Sequence, residues 1–240
     1  MALTVGTDTY LSIIDADTYH SKYANSVWTA YRRAIKTILT HADGIAIVTK
    51  AVNGLAAEDE IKIDDTVNYD TDADVVTILS TTQFSADPSY VADEAVGVVM
   101  LASEYVAREA ALRQASQWID LTHVGKMLGL ITSDTQSLLY PREGVYDEKG
   151  ALILSTVIPE LIKDATAELA LLVVAGTDLY LNIEGRANRS IIQETVGPIT
   201  TKYSPKGYNL NNQPALIQVE RLLAPLMKDD MTGMANIVRS

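Results

Sequence analysis

The feature that most constrains the fold is a change of hydrophobic period. Up to Gly44 and again beyond residue 85 the apolar residues recur at three-to-four spacing, whereas between Ile45 and residue 85 they come closer to alternation. A period near 3.6 belongs to a helix and a period of two to a strand, so the chain should hold a β-rich piece between helical ones. IAIVTKAV, Asn53-Gly54 and LAAEDEIKI read as strand, tight turn, strand, because Asn-Gly supplies the positive φ angles of a two-residue hairpin. VNYD and DVVTILST continue the pattern, which predicts a small sheet over residues 45–85.

Helical spacing dominates elsewhere. Residues 9–24 read as an entry strand or turn and a short helix capped by Asp15 or Asp17, and WTAYRRAIKTILTHAD keeps the spacing through Tyr31, Ile35 and Leu39. Asp87-Pro88 predicts the start of a long helix running to about Asp120, with Asp as cap and Pro at the first position. Residues 121–156 are irregular and contain the octet LLYPREGV. Pro159 then opens a second strong helix whose stripe is Ile162, Ala165, Leu169 and Val173, stopped by Gly176. RSIIQETV and ITTKYS flank Gly197-Pro198 as a hairpin over residues 188–204, and a last helix begins near Pro214 and is kinked or ended by Pro225.

Composition narrows the function classes. A net charge of -12 opposes tight nonspecific DNA binding, which depends on Lys and Arg neutralising phosphates, but it suits a surface that DNA must pass without sticking. The absence of cysteine removes disulfides and thiolate sites together. The N-terminus lacks a basic region followed by an apolar one, and the longest apolar run is far short of the roughly 20 residues a bilayer needs, so a soluble protein is expected.

Motifs for chemistry are incomplete. Asp70-Thr-Asp72-Ala-Asp74 imitates the start of a calcium loop, but Val75 stands where Gly belongs and Thr81 where Glu belongs. Gly125-Lys126 is followed by Met127 instead of a magnesium-holding hydroxyl. His20, His41 and His123 lie in no metal-ligand spacing and read as surface or cap residues. No enzyme, cofactor or metal is expected. Arg142, Arg186 and Arg189 fall in breaker-rich or extended segments, where they either grip a neighbour's carboxylate or pair within the chain.

YPREGVYDEKG followed by IPELIKDATAELAL resembles the core signature of the head-tail adaptor (head completion) proteins of tailed bacteriophages. The opening TVGTDTYLSIIDADTYHSKYAN, the helix EAALRQASQWID, the VGPITTKYS hairpin and the closing PALIQVERLLAPLM agree in order, covering residues 1–28 and about 100–228. Tyr140 departs from the usual Trp, and residues 30–100 look like an insertion. Sequences of this kind are also labelled similar to a DnaT-like single-strand DNA-binding domain, a label the acidic charge and sparse aromatics speak against.

The resemblance implies a mainly α fold: a helical adaptor core (residues 1–30 and 100–228), an extended β-hairpin arm, an inserted β-rich acidic subdomain (31–99) and a C-terminal tail (229–240). It implies a structural protein of the virion neck, assembled in the host cytoplasm, forming a ring of about twelve copies beneath the portal. The partners implied are the portal, tail or neck proteins, and double-stranded DNA that passes without specific binding; no membrane is involved. Tyr140, Arg142, Glu143, Arg186, Arg189, Ile199 and Tyr203 become candidate intersubunit contacts, and Met231, Met234, Ile237, Val238 and Arg239 a candidate portal-docking tail. Single-strand DNA binding, or another phage neck or tail role, is the alternative.

Overall fold

The computed structural model describes residues 3–50, 55–147, 149–180, 193–196, 199–202 and 214–228. The chain divides into two compact units, residues 13–111 and residues 1–12 with 112–240.

The first unit opens with helices α1 (Ile13–Lys22) and α2 (Ser26–Thr29). Six strands follow: β1 (Arg33–His41), β2 (Gly44–Thr49), β3 (Glu60–Asp64), β4 (Thr71–Ser80), β5 (Gln83–Ala86) and β6 (Val98–Leu101). They close into a barrel in the order β1-β2-β5-β4-β3-β6, every neighbour antiparallel. Ile35, Ile38, Ile47, Ile61, Ile63 and Phe84 fill its interior, and these β-branched and aromatic side chains suit a pleated surface better than a helix. Helix α3 (Ala102–His123) leads from this unit into the next.

The barrel overturns the mainly α expectation, since the molecule is about 33% helix and 27% strand. Two stretches expected to be helical are responsible. In RAIKTILTH the buried residues are Ile35 and Ile38, three apart, a spacing that mimics a helix. In β1 a bulge between Ile35 and Thr37 absorbs the odd residue, so both point inward from a strand. Asp87 caps no helix: it accepts from the Asp74 backbone N–H at 3.0 Å. The chain beyond it is held extended where the Tyr69 hydroxyl accepts from the Val91 and Ala92 N–H groups, both at 2.9 Å.

The expected hairpin across Asn53-Gly54 is also corrected. The turn itself lies outside the described residues, but β2 pairs with β1 and β5 whereas β3 pairs with β4 and β6, so the strands flanking it are not neighbours. The observed hairpin joins β1 to β2 through His41 and Gly44. A Cβ on Gly44, at φ +125°, would lie 2.5 Å from the Ala86 carbonyl oxygen.

A polar cluster anchors the barrel's entry. The Asp17 carboxylate on α1 accepts from Trp28 Nε1 at 2.7 Å, Tyr31 Oη at 2.9 Å and Arg32 Nη1 at 2.7 Å. Arg108 donates twice to the Trp28 carbonyl and stacks 3.7 Å from the Tyr31 ring centre. Burial pushes the Asp17 carboxyl above its ordinary value.

The second unit holds the later part of α3 and two short ladders, β7 (Leu130–Ile131) with β8 (Arg142–Glu143) and β9 (Val145–Tyr146) with β10 (Leu152–Ile153). Helix α4 (Glu160–Val174), the hairpin β11 (Gln193–Val196) with β12 (Ile199–Lys202), helix α5 (Pro214–Leu223) and a tight turn at Ala224–Leu226 complete it. Helix α4 starts after Pro159 and buries Ile162, Ala165 and Leu169 as their spacing predicts. It ends where Gly176 N–H donates to Val173 O and Thr177 N–H to Leu172 O, with Gly176 at φ +87°. No helix among the described residues is long and apolar enough to cross a membrane.

Candidate functional site

The octet LLYPREGV forms a buried corner of the second unit. Arg142, 8% exposed, donates Nε to the Leu128 carbonyl at 2.6 Å, Nη2 to the Gly129 carbonyl at 2.8 Å and Nη1 to the Leu139 carbonyl at 3.3 Å. The loop 128–129 must come close for this, and a Cβ on Gly129 would sit 2.3 Å from the Glu143 carbonyl oxygen. Gln136 ties the same corner by donating to the Leu138 and Pro141 carbonyls. The Tyr140–Pro141 peptide is cis. Tyr140, 1% exposed, packs inside, and burial pushes its hydroxyl up to about 12.

Helix α3 contributes Asp120 to this corner. Its carboxylate accepts from the Tyr10 hydroxyl and, at 3.3 Å, from the Leu139 N–H. Burial raises its carboxyl to about 6 even though these hydrogen bonds favour the charged form. One turn on, His123 is buried against the Ile119 carbonyl at 3.0 Å and Glu220 at 3.4 Å, and that contact lowers the Glu220 carboxyl. His20 is fully buried against Trp28, with ring centres 4.8 Å apart. Neither histidine is therefore a surface residue as expected, although both stand in the last turn of a helix and His123 meets the Ile119 carbonyl there.

Beside the corner lies a cleft of about 610 Å³. Ile153, Val157, Ile158, Pro159, Leu161, Pro225 and Leu226 give it apolar walls, and Asp147, Lys149, Glu160 and Lys163 add charge. Its size is that of a small-ligand or peptide site. The β9–β10 turn beside it is held by Asp147, which accepts from the Lys149 and Ala151 N–H groups. Sequence reasoning missed the cleft. The signal was ALILSTVIP, an apolar stretch without helical spacing or charge.

The candidate contact residues are dispersed. Tyr140 and Arg142 are committed inside their own unit, and Glu143 is exposed. Ile199 stands on β12, opposite Val196 in the expected hairpin. Arg186, Arg189 and Tyr203 lie outside the described residues, as do Met231, Met234, Ile237, Val238 and Arg239. The acidic segment that imitates a calcium loop lies in and beside β4, where Asp70 accepts from Thr66 and Asp72 pairs with Lys62 at 3.7 Å. Among the described residues no cluster of three metal-ligating side chains occurs.

Charge is distributed unevenly. Residues 13–111 carry sixteen acidic and seven basic residues, while residues 181–228 carry three acidic and six basic ones. In the first unit Arg32 pairs with Asp17 and Asp65, Arg33 lies 3.6 Å from Glu104, and Arg108 is bound to the Trp28 carbonyl. Residues 181–228 thus carry a local basic excess beyond α4.

A family model described as "Putative DnaT-like ssDNA binding protein" matches residues 82–240. The chain belongs to this family. The DnaT-like match begins at β5, so it takes in the last part of the barrel together with the corner, the cleft and the basic segment. The DnaT-like label seen from sequence stands, while the adaptor part of that resemblance rests on the sequence motifs alone. Neither the comparison with curated proteins nor that with solved structures returned a match.

Proposed function

We propose that the protein is a non-catalytic module that binds single-stranded DNA through the segment beyond α4. The observation that carries this reading is that the DnaT-like match takes in residues 181–228, a basic stretch of an acidic chain. Arg186, Arg189, Lys202 and Lys206 supply phosphate-neutralising charge, and Tyr203 and Tyr208 supply rings on which bases can stack. The acidic barrel repels the strand and restricts contact to this segment.

A labelled oligonucleotide titrated at two salt concentrations tests the reading. Binding should fall steeply with salt and weaken about tenfold or more in Arg186→Glu/Arg189→Glu, while Lys36→Glu/Lys62→Glu on the barrel changes little. No binding at low salt removes the proposal.

The acidic first unit and the motif order over residues 1–28 and about 100–228 favour a second reading: a head-tail adaptor ring beneath a phage portal. In that ring Glu143 and the β11–β12 hairpin would face neighbours, and buried Tyr140 and Arg142 would shape the corner that presents Glu143. The portal and tail or neck proteins would be its partners and the virion neck its place. Electron microscopy of the protein with and without portal decides this reading. A protein that stays monomeric in both conditions and adds no ring excludes it.

A further inference from the structure

We infer that the apolar cleft between the β9–β10 hairpin, the start of α4 and the turn at Ala224–Leu226 is a docking site for the C-terminal segment of the same chain, residues 229–240. The cleft needs an occupant. Its walls are apolar, and Leu152, Leu154 and Val157 on the stretch that borders it are exposed.

The path of the chain points to the occupant. Pro225 and Leu226 are themselves part of the cleft wall, and Lys228 is fastened nearby, its N–H donating to the Lys126 carbonyl at 2.7 Å and its ammonium to the Gly125 carbonyl at 3.1 Å. Residue 229 is three residues past the wall, a reach of about 10 Å, and twelve residues span at most about 40 Å. The twelve residues after Lys228 are therefore long enough to reach the cleft.

Its composition complements the site. Met231, Met234, Ile237 and Val238 are apolar, and methionine adapts well to irregular grooves. Docking within one chain is favoured over docking between copies because so short a tether gives an effective concentration in the millimolar range. The inference concerns a different surface from the basic segment and does not depend on DNA binding.

The chain contains no cysteine, so introduced pairs report distance without background. In the full chain, Val157→Cys with Ile237→Cys should oxidise to an intramolecular disulfide about tenfold faster than Val67→Cys with Ile237→Cys, whose first site is on the barrel unit. Adding Met234→Asp and Val238→Asp should abolish the difference. In the cysteine-free chain the same two aspartates should speed amide exchange over residues 153–161. Crosslinking no faster than the control, unchanged exchange, or a product that is a disulfide-linked dimer would each overturn docking within one chain.

Discussion

Asp120 is the side chain whose chemistry its surroundings alter most clearly. An unfolded aspartate titrates near 3.9, while burial holds the folded carboxyl at about 6. Between those values the folded protein keeps a proton that the unfolded chain has released, so this group's stabilisation is full below pH 4 and is lost as pH rises through 6. Two pH units correspond to about 3 kcal/mol at most. Urea unfolding at pH 4 and pH 7 should show the wild type losing stability relative to Asp120→Asn, and equal losses in both proteins would contradict the assignment. Arg142 makes a second prediction at this scale. Removing it in Arg142→Ala leaves three carbonyl acceptors without their donor, which should cost about 3 kcal/mol in chemical denaturation. Arg142→Lys should recover little, because one ammonium cannot reproduce a planar fork.

At the scale of elements, backbone geometry sets the sensitive positions. Gly44→Ala places a Cβ against the Ala86 and Pro88 carbonyl oxygens at a φ of +125°, and the β1–β2 hairpin has to shift to admit it. A loss of about 2 kcal/mol or more is expected, read as a lowered Tm. Gly176→Ala meets open space and pays only for its left-handed conformation, so about 1 kcal/mol is expected. Equal effects at the two glycines would show that conformation alone, without the close approach, governs the hairpin. The same geometry explains which elements could be read in advance. Helix α4 was legible because its opening proline, its stripe and its stop agree. Strand β1 was not, because its bulge set buried residues three apart and imitated a helical period.

For the whole molecule the decisive quantity is where charge lies. A uniformly acidic protein would repel a nucleic acid strand everywhere, whereas this chain concentrates acid in the barrel unit and carries a basic excess over residues 181–228. With about four phosphate contacts, log K should fall with log salt at a slope of about -3. A slope near zero would mean that the basic segment does not meet phosphates. The candidate site was legible only in part. Arg142 and Tyr140 stood out in the octet, but the partners of Arg142 are carbonyls 3 to 14 residues away, brought near by the loop at Gly129.

The sequence by itself determined the local commitments: the start and stop of α4, the β11–β12 pairing, the lack of cysteine, and a net charge that opposes broad nucleic acid affinity. These depend on neighbours within a few residues or on a simple count. Only the tertiary structure decided that residues 33–101 close into a barrel, that Asp17 meets Trp28, Tyr31 and Arg32, and that Pro225 joins Ile153 in one cleft wall. Those outcomes follow from contacts far apart along the chain. Burying apolar surface rewards them, and a periodicity read over a dozen residues cannot register them.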